Sequence, residues 1–161
     1  MKIYIGADHR GYKLKEKIFA WLVEKDYLVE DMGAYELVPD DDYTEYAQKV
    51  ASVVGEHYTK IEREEHGRHG DIYGILFCGS GVGVDVVANK FDGVKASLGK
   101  EPNQVEAGRE DDDMNTLVIA ADFTSLEEAK KMITAFLTTS YEPAERHDRR
   151  LEEIKRIEEN N

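Results

Sequence analysis

The chain has 161 residues, a formal net charge of −13, 41% apolar residues and a single cysteine. That length suits one domain with a real core. One cysteine excludes an internal disulfide framework and a Cys-rich zinc site, and no apolar run reaches the roughly 20 residues of a membrane helix.

In chain order, KIYIGAD is a short apolar run that reads as a buried strand. From Gly11 to about Lys25 the pattern is helical, with Leu14, Ile18, Trp21 and Leu22 three and four residues apart. YLVEDMG reads as a second strand. Tyr43 to about Glu56 forms a second helix, whose apolar stripe is Tyr46, Val50, Val53 and Val54. DIYGILFCGSG is a third strand running into a glycine-rich turn, followed by a helix to about Lys90. A strand near VKASL, a helix near Gln104–Glu110 and a strand at TLVIAAD come next. The helix SLEEAKKMITAFL and a charged helix from about Pro143 end the series. His57–Asp71 is the one interval of low hydrophobicity. It reads as a helix extension and an inserted, solvated charged loop; its three histidines invite a metal reading, but no carboxylate or Cys sits at a recognised ligand spacing.

Strand and helix alternate about five times, which predicts a three-layer α/β/α sandwich, Rossmann-like, with about five parallel strands in a single domain, residues 1–161. Acidity argues against a nucleic-acid partner, since phosphate backbones require local positive charge. No signal-peptide pattern opens the sequence, so the cytoplasm is the expected compartment.

In such a sheet ligands gather at the carboxyl ends of the strands. The first strand ends in Asp8-His9-Arg10-Gly11, where Asp8 is either a helix cap or a functional carboxylate. The third ends in Cys78-Gly79-Ser80-Gly81-Val82-Gly83. Its glycines leave backbone N–H groups uncovered, which suits an oxyanion or a phosphate, although the spacing is neither a P-loop nor a dinucleotide fingerprint. Cys78 stands at the entrance to the following helix, where free amides and the dipole would lower a thiol pKa and yield a base or nucleophile. The alternative is a buried structural cysteine. Arg146 and Arg150 are four apart on one helix face, able to grip a phosphate or to pair with nearby acids.

DHRG after the first strand, Asp42-Tyr43, CGSGVG, Asn89-Lys90 and RHDRR occur together, in this order, over roughly Lys2 to Ile154. In this the chain resembles the ribose-5-phosphate isomerase B family, which includes galactose-6-phosphate isomerase subunits. The resemblance implies a Rossmann-like sandwich that forms a homodimer, or a dimer of dimers, with active sites built from both subunits and no metal or cofactor. It implies aldose–ketose isomerisation of a sugar phosphate through a cis-enediolate, with ribose 5-phosphate and ribulose 5-phosphate as the default pair, and no nucleic-acid or membrane partner. By position, Cys78 would move the proton between C1 and C2. Ser80 would assist at the sugar hydroxyls, and the amides of Gly79, Gly81, Val82 and Gly83 would stabilise the enediolate. Asp8 and Tyr43 would contact the sugar, while His9, Arg146 and Arg150 would hold the phosphate. Some members place a Glu base where this chain has Val84.

Other departures are sharper. Asp111 stands in the place of a ring-opening His, Asp112 in that of a sugar-binding Asn, and Asp122 in that of a phosphate-binding Arg; Lys100-Glu101-Pro102 replaces His-Asp-Pro. An ionised carboxylate cannot donate a proton to a ring oxygen, but crowding by Glu110, Asp112 and Asp113 would raise a carboxyl pKa and restore a donor at Asp111. An exposed acidic turn, a tetrose or hexose phosphate as substrate, and a half-site subunit that needs a homologous partner are the alternatives.

Overall fold

Lys2–Ala7 (β1), Leu28–Asp31 (β2), Ile72–Cys78 (β3), Ala96–Leu98 (β4) and Thr116–Ala120 (β5) form one all-parallel sheet in the order β2-β1-β3-β5-β4. The computed structural model describes residues 1–64 and 71–160. Among the described residues six helices connect and follow the strands: α1 (Tyr12–Glu24), α2 (Tyr43–Glu64), α3 (Val82–Ala88), α4 (Pro102–Asp112), α5 (Leu126–Thr138) and α6 (Glu145–Glu158). Among the described residues no helix is long and apolar enough to cross a membrane.

The strands alternate which face they feed. Ile3, Ile5, Ile75, Phe77, Leu117 and Ile119 pack with Ile18, Leu22, Val105, Ile133 and Phe136 from α1, α4 and α5. Tyr4, Leu76, Cys78 and Val118 face the other way, onto Val50, Val54 and Tyr58 of α2 and Val84 and Ala88 of α3. Helices on both faces explain why the central strands read as unbroken apolar runs. The expected sandwich is therefore present. α2 runs past Glu56 because Tyr58 continues the four-residue stripe of Val50 and Val54 and is only 3% exposed. The part of the expected charged loop at 65–70 lies outside the described residues.

Two features place the functional end of the sheet. From β1 the chain goes outward to β2, then returns to β3 on the opposite side of β1, so the β1/β3 boundary is the topological switch point where open α/β sheets hold ligands. The register pairs Ala7 with Phe77 and Cys78 with Ala120, so β1, β3 and β5 end at one level. Gly11 lets α1 seat directly on β3: a Cβ there would stand 2.5 Å from the Phe77 carbonyl carbon and oxygen. Gly11→Ala is expected to lower stability by about 1–3 kcal/mol through overpacking against unyielding backbone, measured by urea unfolding. A variant as stable as the parent would contradict this seating.

Candidate active site

The carboxyl ends of β1 and β3 bring Asp8 and Cys78, 70 residues apart in sequence, into contact. The Cys78 S–H donates to Asp8 Oδ2 at 3.0 Å, while Asp8 Oδ1 accepts from the Gly11 N–H at 2.8 Å. Asp8 thus bonds the turn that leads into α1 with one oxygen and faces the thiol with the other, while the α1 N-cap itself is Gly11 and has no side-chain cap. Both side chains are buried.

The glycine turn closes over this pair. Gly81 adopts a left-handed φ of 77°, which a residue with a Cβ resists. The amides of Gly79 and Gly81 approach the Cys78 sulfur and favour its thiolate. They do not prevail. Burial, then the hydrogen bond and the negative charge of Asp8, push the thiol up to about 11. The expected lowering by the helix entrance is therefore corrected: α3 has only seven residues, and its amides are outweighed by desolvation and by a carboxylate in contact.

Tyr43, the first residue of α2, lays its ring on Gly83, where a Cβ would be 2.7 Å from the ring carbons. Ser80 is exposed on the turn. His9 is gripped by Asp41, whose Oδ1 accepts from the His9 backbone N–H at 2.9 Å and lies 2.6 Å from its Nδ1. The Asp41 hydrogen bond raises the His9 pKa against the opposing effect of burial, so the ring stays cationic to higher pH. Asp41 gives no sequence signal that separates it from its neighbours Asp40 and Asp42. Arg10 is the second cation here. Its guanidinium lies over Gly79 and pairs through Nη2 with Asp122, just beyond β5. Asp8, His9, Tyr43, Cys78, Ser80 and the residues Gly79–Gly83 therefore lie together.

Asp111, Asp112, Arg146 and Arg150 do not join them. α4 leaves the carboxyl end of β4 and delivers Asp111 and Asp112 to the amino end of β5. There Asp113 lies 3.6 Å from the Lys95 ammonium, and the Asn115 side chain accepts from the Lys95 N–H at 2.9 Å, just ahead of β4. α6 starts at this same end. His147 Nε2 is 3.2 Å from Asp111 Oδ1 and 2.8 Å from Arg146 Nε, and Nδ1 faces the Glu142 carbonyl at 3.0 Å. Arg146 and Arg150 are exposed beside it. A seven-residue strand at ~3.3 Å per residue separates the two groups by roughly 20 Å within one copy.

A family model described as Ribose/Galactose Isomerase matches residues 3–154. Ribose-5-phosphate isomerase B of Escherichia coli (strain K12) is 37% identical over 159 residues, covering 98% of this chain and 97% of the relative. Probable ribose-5-phosphate isomerase B of Mycoplasma pneumoniae is 34% identical over 152 residues, covering 94% and 91%. Among solved structures, ribose-5-phosphate isomerase B from Mycoplasma genitalium with bound ribulose-5-phosphate superposes with a TM-score of 0.87 at 33% identity, covering 99% of this chain and 97% of that one. Type B ribose 5-phosphate isomerase from Trypanosoma cruzi gives 0.86 at 28% identity over the full length of both.

The Asp41–His9 pair has a defined pH signature. Because the His9 pKa is raised from its ordinary 6.5, the pair stabilises the fold fully below that value, and the stabilisation is lost as pH rises through the raised value. Asp41→Asn is expected to return the His9 pKa toward 6.5 in a ring-proton NMR titration; an unchanged titration would remove Asp41 as the cause.

Proposed function

The chain belongs to the ribose/galactose isomerase family, and on that premise we propose that it interconverts the aldose and ketose forms of a phosphorylated sugar, with ribose 5-phosphate and ribulose 5-phosphate as the first pair to assay. The hydrogen bond between Cys78 and Asp8 beneath the glycine turn carries this reading. Isomerisation removes a proton from C2 of the aldose, places the electron pair in an enediolate, and returns a proton to C1. It needs a base at the reacting carbons, donors aimed at the developing oxyanion, and a remote anchor.

In this reading Cys78 is the base. Its own proton passes to the Asp8 carboxylate it already touches, and the thiolate takes the C2 proton. A high thiol pKa makes the thiolate scarce but strongly basic. The turn amides, which approach the sulfur in the free protein, then serve the enediolate oxygen. Tyr43 and Ser80 border the sugar, and His9, whose cationic form Asp41 favours, faces the phosphate. The bound ribulose-5-phosphate of the Mycoplasma genitalium relative supports a phosphorylated-sugar ligand. A phosphorylated substrate does not cross a bilayer unaided, which supports a cytoplasmic site of action.

The separation of Arg146 and Arg150 from Cys78 supports a shared site. A second copy, pairing the amino end of one sheet with the carboxyl end of the other, would supply these arginines together with Asp111 and Asp112. An isologous dimer does this twice over. In a composite site Asp111, next to His147, would meet the sugar ring.

Complementation tests both parts of the reading. Purified protein is expected to convert ribose 5-phosphate. Cys78→Ala and Arg146→Ala, each alone, are expected to fall below about a tenth of the parent rate, since each loses a group the reaction uses. Unfolded and refolded together in equal amounts, they are expected to recover about a quarter of the parent rate. Half of the dimers are then mixed, and each mixed dimer holds one intact site. A mixture no better than its components would contradict the shared site, and a parent protein inactive on C4 to C6 sugar phosphates would contradict the isomerase.

A further inference from the structure

We propose that Arg10 is a further cation that receives the substrate's phosphate, beside His9 and the arginines a second copy would bring, held ready for it by Asp122; the assignment rests on the sugar-phosphate reading above. Three strand ends converge on this guanidinium. Arg10 comes from the connection after β1 and crosses the end of β3, where the missing side chain of Gly79 gives it room, since a Cβ at that position would collide with its Cζ and Nε. It ends at Asp122 beyond β5. The β5 loop is fastened to the same glycine, because the Asp122 N–H donates to the Gly79 carbonyl at 3.1 Å. The carboxylate that holds the fork is thus carried on backbone that is itself hydrogen-bonded, which limits the entropy lost when the fork takes up an anion.

Its remaining donors are available. Asp122 engages Nη2, and among the described residues neither Nε nor Nη1 has a hydrogen-bond partner. A guanidinium presents five N–H groups, and a carboxylate on one edge leaves the other edge for two parallel bonds to a phosphate. His9, the preceding residue, adds a second cation: its Nδ1 is taken by Asp41, and its Nε2 has no partner among the described residues. Within one copy, Arg109, Arg146 and Arg150 lie at the other end of the sheet. Lys15 is nearby but sealed, fully buried on Asp31 Oδ2 at 2.5 Å and the Ala34 carbonyl at 2.8 Å.

Exposure decides which part of the substrate Arg10 meets. Cys78 and Asp8 are 6% and 3% exposed, whereas the Arg10 side chain is 52% exposed. The guanidinium stands against Gly79 and open to solvent, outside the buried pair. A cation there binds the remote dianion equally in ground and transition states, so its loss raises KM and leaves kcat nearly unchanged.

The test compares the parent with Arg10→Ala, Arg10→Lys and the relocated pair Arg10→Ala/Asp122→Arg, which brings a guanidinium to the same point from β5. Inorganic phosphate binding is read by calorimetry, and ribose 5-phosphate turnover by steady-state kinetics. Arg10→Ala is expected to weaken phosphate and raise KM roughly tenfold or more, the scale of one charge-assisted bond, with kcat within about threefold. Arg10→Lys and the relocated pair are expected to recover much of both losses. Phosphate affinity and KM within about twofold of the parent in Arg10→Ala, or a fall in kcat at constant KM, would overturn the assignment. Calorimetry needs no turnover, so a parent that binds phosphate through Arg10 but isomerises nothing would refute the isomerase alone. An active parent with an unchanged KM in Arg10→Ala would refute Arg10 alone.

Discussion

The hydrogen bond from the Cys78 thiol to the Asp8 carboxylate is the contact on which the site is organised. It exists because β1 and β3 are parallel neighbours that end in register, and it sits where the sheet changes direction. A parallel sheet with helices on both faces leaves its strand ends as the place where polar groups meet solvent without breaking the core. Asp8 satisfies the α1 turn with one oxygen and the thiol with the other, so the carboxylate is ordered before any ligand arrives. Such fixed polar groups in a buried setting interact more strongly than they would in water.

Around this contact the chain places each cation against a carboxylate: His9 on Asp41, Arg10 on Asp122, Lys15 on Asp31. The −13 charge is thus not spread only as a solvating coat. Part of it orients the few positive groups at the carboxyl end of the sheet, and an acidic protein can present an anion site there without a basic surface. At the amino end a different group is assembled. Arg109 is buried between the Tyr73 and Phe136 rings and bonds Asp113 and the Tyr73 hydroxyl, which fixes the end of α4 that carries Asp111 and Asp112.

β1, β3 and β5 are legible in the sequence because burial on both faces writes them as apolar runs, whereas the edge strands β2 and β4 are part-exposed and leave only the short traces YLVED and VKASL. The Gly79–Gly83 turn and its cysteine are legible for the same reason, as the point where such a run stops. The sign of the thiol shift is not, because it depends on burial and on a carboxylate 70 residues away. Asp122 reads in sequence as a lost cation; only the fold shows that a cation from β1 lies against it. Asp41 is hidden in a run of three aspartates, since its selection depends on how the loop before α2 folds back onto His9.

The central claim is that the buried Cys78 thiol carries the substrate proton. Isomerisation of ribose 5-phosphate in D2O, followed by NMR at C1 of the ketose, tests it most directly. The account predicts ketose from the parent protein, with deuterium at C1 only to the extent that the proton carried by Cys78 exchanges with solvent, and neither deuterium nor product with a folded Cys78→Ala variant. Deuterium entering at the parent rate in Cys78→Ala would contradict it.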